Sequence, residues 1–382
     1  MRESVSDTTP RYEHPLRLRE RPYRHAFASA LRLVDLFSGC GGLTLGIVEA
    51  ATAAGKSVNI RLAVDFETAA TDVYRANFPE TAAIETAPVE DLFNGSIGGP
   101  LTKQEKRMQE LVGKVDLLVG GPPCQGNSTL NNHTRALDPK NGLYLLMARA
   151  AEVLKPDLLL IENVPAVLRD RHGDRNVVES VRETLVQLGY QVDDRIVSLH
   201  ALGVAQLRRR HILIATKEGL RTPTSILDGL EKHSDPKNLC WAIGDLEHAQ
   251  GTGWDAPPVA NSTNIARMRY LLDNDLLDLP NDQRPKCHQN AHSYKSMYGR
   301  LRWDLPAQTL TSGFGSIGQG RYMHPTQLRA LTAHEAARIQ GFPDYFDFSQ
   351  VQGRSRLAVM IGNAVPPPLG RKVLSEFLKQ SE

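Results

Sequence analysis

Between residues 31 and 216 the chain alternates short apolar runs with segments of helical periodicity, and this alternation constrains the fold more than any other feature. The runs Leu31–Phe37, Ile60–Val64 and Val115–Val119 have the length and composition of buried strands. Similar runs predict strands at Leu158–Ile161 and His211–Ala215. Strands that alternate with helices predict an α/β fold with a mostly parallel sheet.

The helical segments between the strands, and one near the C-terminus, are Leu43–Ala54, Thr68–Asn77, Leu143–Leu154, Val177–Leu188 and Ala333–Gln340. Near Thr216 the periodicity weakens, which predicts a smaller inserted domain, and strand-like alternation returns at Tyr298–Leu310. The predicted regions are an N-terminal arm (1–30), a main domain (31–216), a small domain (217–325) and a C-terminal region (326–382) that packs back on the main domain.

The composition is that of an ordinary globular protein, with 41% hydrophobic and 23% charged residues. No apolar run approaches the ~18 residues of a membrane span, and the first residues lack the apolar region of an export signal. We therefore expect a cytoplasmic protein with no membrane partner. The four cysteines show no CxxC spacing, which argues against a zinc site and a disulfide framework, so no metal is expected.

The positive charge of the chain is unevenly distributed. The net charge is only +2, yet seven arginines fall within the first 32 residues. This basic arm predicts either a solvated tail or a segment that contacts phosphate groups.

The stretch VDLLVGGPPCQ places Cys124 just after a predicted strand. Gly120 and Gly121 end the strand, and Pro122 and Pro123 stiffen the turn. The thiol therefore lies at the carboxyl end of a strand, where α/β sheets bind ligands. A cysteine in that place is a candidate nucleophile, and the alternative is a small buried hydrophobe.

The sequence DLFSGCGG (35–42) follows the first strand and predicts a loop whose backbone approaches a ligand. Its spacing is neither the dinucleotide fingerprint nor a P-loop. Asp65 ends the second strand 23 residues after Gly42, where nucleotide folds place a carboxylate against ribose hydroxyls. Phe66 beside it can stack on an adenine. Together they predict an adenosine-containing cofactor, with a tight structural turn and core packing of Phe66 as the alternatives.

Two further polar groups stand at the ends of apolar strands. Glu162 lies in LLLIENV, where a buried carboxylate is costly unless it has a task, so it is a candidate proton donor. A structural or capping carboxylate is the alternative. The stretch QLRRRH (206–211) enters another strand, and its arginines form a solvated edge or donate to a nucleobase carbonyl or to phosphates.

Together these motifs resemble the cytosine-C5 DNA methyltransferase family. GGPPCQG matches the nucleophile motif, ENV the carboxylate motif, and Gln206, Arg208 and Arg210 the QxRxR motif. DLFSGCGG, LTAHEAARIQGFPD and IGNAVPP match further motifs, and all six follow the family's order. The resemblance covers residues 31–216 and 295–382. It implies a Rossmann-like methyltransferase domain and a target-recognition domain over 217–325.

The resemblance also implies a role for each matching residue. Cys124 would add to C6 of a cytosine flipped out of the duplex, Glu162 would bond N3, and Arg210 would hold O2. Arg208 would support the loop or a phosphate. The methyl donor would be S-adenosyl-L-methionine, which leaves as S-adenosyl-L-homocysteine. The residues expected to line the cofactor are Phe37, Gly39, Cys40, Gly42, Asp65, Phe66, Pro123, Leu143, Asn363, Ala364 and Val365.

One expected cofactor contact departs from the family pattern. The family has an aspartate after the third strand where this chain has Pro88, so either Asp91 or backbone groups take that role. No motif identifies the residues of 217–325 that read base edges in the major groove. The candidates are Arg267, Arg269, His288 and Asn290.

The implied substrate is double-stranded DNA, and the implied setting is a bacterial cytoplasm, beside the nucleoid, within a restriction or phage-defence system. A monomer is expected. Two alternatives remain open: methylation of a tRNA cytosine by the same motifs, and a catalytically silent relative that only binds DNA. The presence of Cys124, Glu162 and both QxRxR arginines favours an active enzyme over the silent relative.

Overall fold

The computed structural model describes residues 14–22, 27–123, 142–232, 235–248, 251–289 and 296–379. Its strands in chain order are β1 Ala30–Leu36, β2 Ser57–Asp65, β3 Ile84–Thr86, β4 Leu117–Gly120, β5 Leu158–Asn163, β6 Arg171–His172, β7 Arg175–Asn176, β8 Tyr190–Ser198, β9 Gln206–Leu207, β10 Arg209–Lys217 and β11 Ala307–Gln308. Its helices are α1 Gly42–Ala53, α2 Thr68–Asn77, α3 Val89–Leu92, α4 Lys103–Val112, α5 Gly142–Leu154, α6 Val177–Gln187, α7 Pro223–Glu231, α8 Leu239–Ile243, α9 Ser262–Asp273, α10 Ala333–Ile339, α11 Arg354–Asn363 and α12 Pro367–Phe377.

Seven of these strands form one sheet in the order β3-β2-β1-β4-β5-β10-β8. The first five strands of that order are parallel, and β10 runs antiparallel to both β5 and β8. The predicted α/β class with a mostly parallel, Rossmann-like sheet is therefore confirmed.

Both faces of this sheet are covered, which explains why its strands are continuous apolar runs. Successive side chains of β5 point to opposite faces. Leu158 and Leu160 join the core that includes α1 and α12, and Leu159 and Ile161 join the core that includes α5 and α6. Each parallel strand is thus fixed in register by two cores.

The strand order reverses at β1, which pairs with β2 on one side and β4 on the other. Leu36 lies opposite both Val64 and Gly120, and Gly120 lies opposite Ile161. The segments that follow these four strands therefore meet at one edge of the sheet, where open α/β sheets bind ligands. We call this region the strand-end edge.

Residues that follow 217, where the small domain is predicted to begin, pack with the large core. Side chains of α7 and α8, such as Ile226 and Leu239, are fully buried in the large core. A separate small core is formed by Met268, Leu271, Leu279, Ile317, Met323 and Ala330. We call the part of the chain that contributes this core, residues 257–330, the small unit; Leu301, Ala307, Leu310 and Phe314 within it belong to the large core. The alternation predicted at Tyr298–Leu310 gives only the two-residue strand β11.

The N-terminal segment 14–22 packs on the rest of the protein, so the solvated-tail prediction does not hold for it. Leu16 is buried, and its carbonyl oxygen accepts a hydrogen bond from the Asp344 N–H at 2.9 Å. Arg17 pairs with Asp245 at 3.2 Å. Every helix within the described ranges is too short or too polar to cross a bilayer.

Candidate active site

A buried carboxylate and a guanidinium meet at the strand-end edge. Glu162 is 7% exposed and lies opposite Ile212 of β10. Arg210 stands two residues before Ile212, on the same face of the sheet. Its Nε lies 2.6 Å from Glu162 Oε1, although that oxygen has no aligned hydrogen bond among the described residues. Two residues predicted separately therefore form one charge pair at the strand-end edge.

The loop that leads to Cys124 passes over this pair. A Cβ at Gly121 would lie 3.3 Å from Glu162 Oε2 and 3.4 Å from Val365 Cγ2. The side chain of Asn163 donates to the Pro122 carbonyl oxygen at 3.0 Å. Cys124 itself lies outside the described residues, but β1 and β5 both pair with Gly120, four residues before it.

Arg208 occupies a different environment from Arg210. It is 3% exposed, and its Nη1 donates to the Leu310 carbonyl oxygen at 2.9 Å and to that of Gly362 at 3.4 Å. Its Nη2 donates to the Ala364 carbonyl oxygen at 3.4 Å. Burial lowers the pKa of this guanidinium to about 9. Arg208 thus joins backbone segments rather than Glu162.

Gln206 extends this set of backbone contacts. Its amide nitrogen donates to Gln340 Oε1 at 2.6 Å, and its amide oxygen accepts from the Leu310 N–H at 3.0 Å. The side chain is fully buried. In the QxRxR motif, Gln206 and Arg208 therefore act as struts, side chains that connect separate backbone segments, whereas Arg210 contacts Glu162 at the site.

The predicted cofactor loop is held from below by Asp65. One carboxylate oxygen accepts from the Gly39 N–H at 2.8 Å and the other from the Glu67 N–H at 3.0 Å. Burial raises the pKa of Asp65. Gly39 has φ +53° and open space where a Cβ would be. The ring of Phe66, beside Asp65, is 56% exposed. This arrangement leaves room for a nucleoside next to a carboxylate and an aromatic face.

The C-terminal motif closes the other side of the same loop. A Cβ at Gly42 would lie 2.1 Å from the Val365 carbonyl oxygen, so only glycine permits this approach. Ala364 is buried next to it in sequence, while Asn363 is exposed at the end of α11. The remaining predicted cofactor residues, Phe37, Pro123 and Leu143, are half-buried.

Cys40 lies in this loop but has no reactive role. Its side chain is 2% exposed, and burial raises the pKa of its thiol to about 12. A thiol in that state is a poor nucleophile. Within the described ranges, no three His, Cys, Asp or Glu side chains cluster as metal ligands.

The third strand indicates which groups stand where the family has an aspartate. Thr86 lies opposite Asp65, and the Ala87 N–H donates to the Asp65 carbonyl oxygen at 3.1 Å. Pro88 follows directly, whereas Asp91 lies further along in α3 and is exposed. This register favours backbone groups over the Asp91 side chain.

The sequence reasoning missed Asp35, a second buried acid beneath the loop. It is 1% exposed, and one oxygen accepts from Thr44 Oγ1 at 2.7 Å. The other oxygen has no partner among the described residues. Burial raises the pKa of Asp35 to about 7. The available signal was an acid inside an apolar strand, the same signal that identified Glu162.

The residues predicted to read base edges differ in the contacts that they make within the protein. Arg267 donates to Asn264 at 3.0 Å and lies 5.2 Å from the ring centroid of Tyr298, so it is used within the small unit. His288 also packs against Tyr298, at 5.6 Å between rings. Arg269 is exposed. Asn290 lies outside the described residues.

The sheet topology, the open cradle beside Gly39 and the buried Glu162–Arg210 pair define an enzyme that binds a nucleoside cofactor at the strand ends. Residues 31–379 match the family of C-5 cytosine-specific DNA methylases, and the chain belongs to that family. Its activity is accordingly methyl transfer to C5 of cytosine in DNA. The family uses S-adenosylmethionine.

Known relatives span most of the chain. The Type II methyltransferase M1.BsuMI of Bacillus subtilis is 42% identical over 360 residues, which cover 93% of this chain and 82% of that protein. The Type II methylase M.HgiDII of Herpetosiphon aurantiacus is 29% identical over 91% of this chain and 95% of its own length.

Solved structures show the same fold. A putative DNA modification methyltransferase from an Escherichia coli prophage superposes with a TM-score of 0.61 at 23% identity, over 91% of this chain and 98% of that chain. The S. pombe Dnmt2 methyltransferase gives a TM-score of 0.62 at 18% identity, over 92% and 98%.

Proposed function

We propose that Cys124, Glu162 and Arg210 perform the transfer on a cytosine turned out of double-stranded DNA. The observation that carries this proposal is the buried Glu162–Arg210 pair beside Gly121, on the loop that leads to Cys124. A pocket at the strand ends cannot reach a base inside the duplex, so the base must leave the stack.

Carbon 5 of cytosine is too weak a nucleophile to take a methyl group unaided. The Cys124 thiolate forms a bond to C6, and the electrons of the C5–C6 double bond shift into the ring. Glu162 in its protonated form donates its proton to N3, and Arg210 donates hydrogen bonds to O2, so that the resulting negative charge is offset. When bound, S-adenosylmethionine supplies an electrophilic methyl group. C5, once it carries the methyl group, passes its proton to water or a general base as the S–C6 bond breaks, which restores the C5–C6 double bond and frees Cys124 as thiolate.

We assign the cofactor to the cradle between the loop and the C-terminal motif. Asp65 faces the ribose, Phe66 stacks on the adenine and the open side of Gly39 receives the amino-acid portion. The residues expected at this site come from the loop and from the C-terminal motif, which meet where Gly42 contacts Val365. S-adenosylhomocysteine is the expected product, and no metal is required by these steps.

Base-resolution conversion sequencing of plasmid DNA from cells that express this chain tests the proposal. Cytosines protected in one sequence context establish activity, substrate and recognition site together. Cys124→Ser abolishes the protection, whereas Cys287→Ser, which alters an exposed thiol, leaves it unchanged. Protection that survives Cys124→Ser contradicts the mechanism. Complete absence of protection in the unaltered protein redirects the assay to tRNA cytosine.

A duplex carrying 5-fluorocytosine at the target base tests the covalent step. Fluorine at C5 cannot leave as a cation, so the S–C6 bond persists after methyl transfer. The unaltered protein is expected to give a denaturant-resistant adduct with DNA, and Cys124→Ser none. An adduct with Cys124→Ser would place the nucleophile elsewhere.

We also propose that the chain acts as a monomer in the cytoplasm and modifies DNA for a Type II restriction system. The relatives M1.BsuMI and M.HgiDII support this setting, since both are named Type II enzymes. Plasmid modified by this protein should resist the one restriction activity that shares its recognition site, and sedimentation should give a single-chain mass.

A further inference from the structure

We propose that Arg21 is a positioning residue for the cofactor loop, which it supports through Asn77 and Phe78. This inference rests on the cofactor site proposed above. It gives the basic N-terminal segment a task in cofactor binding instead of contact with DNA phosphates.

Arg21 is held at the end of α2 by polar and aromatic contacts. Its Nη1 donates to the Asn77 carbonyl oxygen, and its Nη2 donates to Asn77 Oδ1 at 3.0 Å. The guanidinium carbon lies 5.7 Å from the ring centroids of both Phe78 and Tyr345. Burial lowers the pKa of Arg21. These donors are therefore engaged within the protein.

Asn77 is fully buried and ties this corner to a distant part of the chain. Its amide nitrogen donates to the Val73 and Asp347 carbonyl oxygens, at 2.9 and 2.8 Å. Its amide oxygen accepts from the Asp347 N–H at 2.9 Å. Arg21 thus completes the contacts of a residue that cannot shift without breaking several hydrogen bonds.

The end of α2, with Phe78 next to Asn77, packs directly against the glycine loop. Gly41 has φ +90°, and a Cβ there would lie 2.5 Å from Phe78 Cε2 and 3.0 Å from Tyr74 Cδ2. The two rings therefore leave no space beneath the loop. Tyr74 Oη also lies 2.9 Å from Thr44 Oγ1 at the start of α1. A change in the position of Phe78 must move Gly41, two residues from the Gly39 N–H that binds Asp65.

Arg17 supplies a matched control within the same segment. It pairs with Asp245 at 3.2 Å, and both side chains are partly exposed at 42% and 31%. Asp245 also pairs with Arg338 at 2.7 Å, and among the described residues Arg17 itself makes neither a hydrogen bond nor an ion pair with Asn77 or Phe78. Exposed ion pairs contribute little, so Arg17→Ala tests whether any weakening of the segment produces the effect.

The experiment compares Arg21→Ala, Arg21→Lys and Arg17→Ala in the full-length protein. For each we measure the Kd of S-adenosylhomocysteine, the KM of S-adenosylmethionine, the KM of DNA and kcat. Arg21→Ala should raise the first two about 10-fold, equivalent to ~1.4 kcal/mol, with kcat and the KM of DNA within about 2-fold. Arg21→Lys should rescue part of the loss, because lysine keeps the charge but not the two-pronged bond.

Cofactor affinity unchanged in Arg21→Ala overturns the inference, as does an equal loss in Arg17→Ala. A rise in the KM of DNA with a flatter salt dependence would instead identify a phosphate contact and also overturn it. If Arg21→Ala does not fold, Phe78→Leu provides the same test with the same expected direction. Failure of the unaltered protein to bind S-adenosylhomocysteine would contradict the cofactor site itself, and is distinguishable for that reason.

Discussion

The strand-end edge and the small unit solve different structural problems. At the edge, Glu162 is buried, Arg210 and Asp65 are half-buried, and residues far apart in sequence contact one another directly. In the small unit a six-residue core supports α9 and a set of turns, and Arg269 is exposed. The proposed chemistry requires fixed atoms, which strand register provides, whereas the target recognition expected of the small unit requires side chains free to meet DNA. A change at either region should therefore affect one function and spare the other.

The largest expected effect is that of Glu162→Gln at the edge. The amide cannot offset charge at N3 or deliver a proton in the same way, so the rate of methyl transfer should fall on the order of 10²-fold or more. The Kd of S-adenosylhomocysteine should stay within a few fold. Single-turnover kinetics with Glu179→Gln, an exposed acid, provide the control. A near-normal rate would remove Glu162 from its proposed role.

Met268→Ala makes the opposite test in the small unit. Met268 is fully buried in the small core, and its truncation should cost about 2–3 kcal/mol of unfolding free energy. DNA affinity should fall while cofactor affinity is retained. Ile265→Ala, on the exposed side of the same helix, should change little. Loss of cofactor binding in Met268→Ala would show that the two regions are not separable.

Arg208→Met tests the connection between the regions. The change removes the donor to the carbonyl oxygens of Leu310 and Ala364 and one of two donors to that of Gly362, so it should cost about 2 kcal/mol. Both DNA and cofactor affinity should weaken together. Denaturant unfolding beside Arg209→Met, which alters an exposed neighbour, measures the difference. Equal stability of the two variants would argue against a strut.

Asp35→Asn gives a pH-dependent effect confined to the cofactor side. The pKa of Asp35 is about 7 in the folded protein against 3.8 as its usual value, so the native state binds its proton more tightly than the unfolded state. Stability of the unaltered protein therefore declines from about pH 4 to pH 7 and levels off above that. The asparagine variant has no carboxyl group to ionise at this position. Its unfolding free energy should therefore rise by ~1 kcal/mol or more relative to the parent between pH 5 and pH 8. Parallel pH profiles of the two melting temperatures would contradict it.

The smallest expected effect concerns residues 2–13. Their removal leaves the packed segment 14–22 in place and deletes two arginines, Arg2 and Arg11. If these touch DNA phosphates, the slope of log K against log salt should fall by at most ~2. Cofactor affinity should not change. An unchanged slope would identify this stretch as a solvated tail.

The strands that could be predicted from sequence are those whose side chains are buried on both faces of the sheet. The apolar runs gave β1, β2, β4 and β5, and the turn residues after them gave most of the site. The edge strand β8 was missed because Asp193, Asp194 and Arg195 break its apolar pattern. Those charges are paired from other elements, such as Asp194 with His211 at 2.8 Å, and sequence does not show such partners.

The same limit applies within the site. Glu162 and Arg210 were each identified by strand position, but their pairing depends on an antiparallel register that sequence does not specify. Arg208 and Arg210 are both arginines of the QxRxR motif. Only the fold shows that Arg208 donates to backbone carbonyl oxygens. The small unit offered no periodicity, because turns rather than strands build it.

Ribosomes make this protein from residue 1 onward, so α1 emerges long before α12. The two helices touch backbone to backbone: a Cβ at Gly46 would lie 1.9 Å from the Pro367 carbonyl oxygen, and one at Gly370 would lie 2.4 Å from that of Leu43. The contact that seats Val365 against Gly42 therefore forms only after nearly the whole chain has been synthesised. A product that ends before these helices lacks one wall of the proposed cofactor cradle, and we expect it to be unable to methylate DNA.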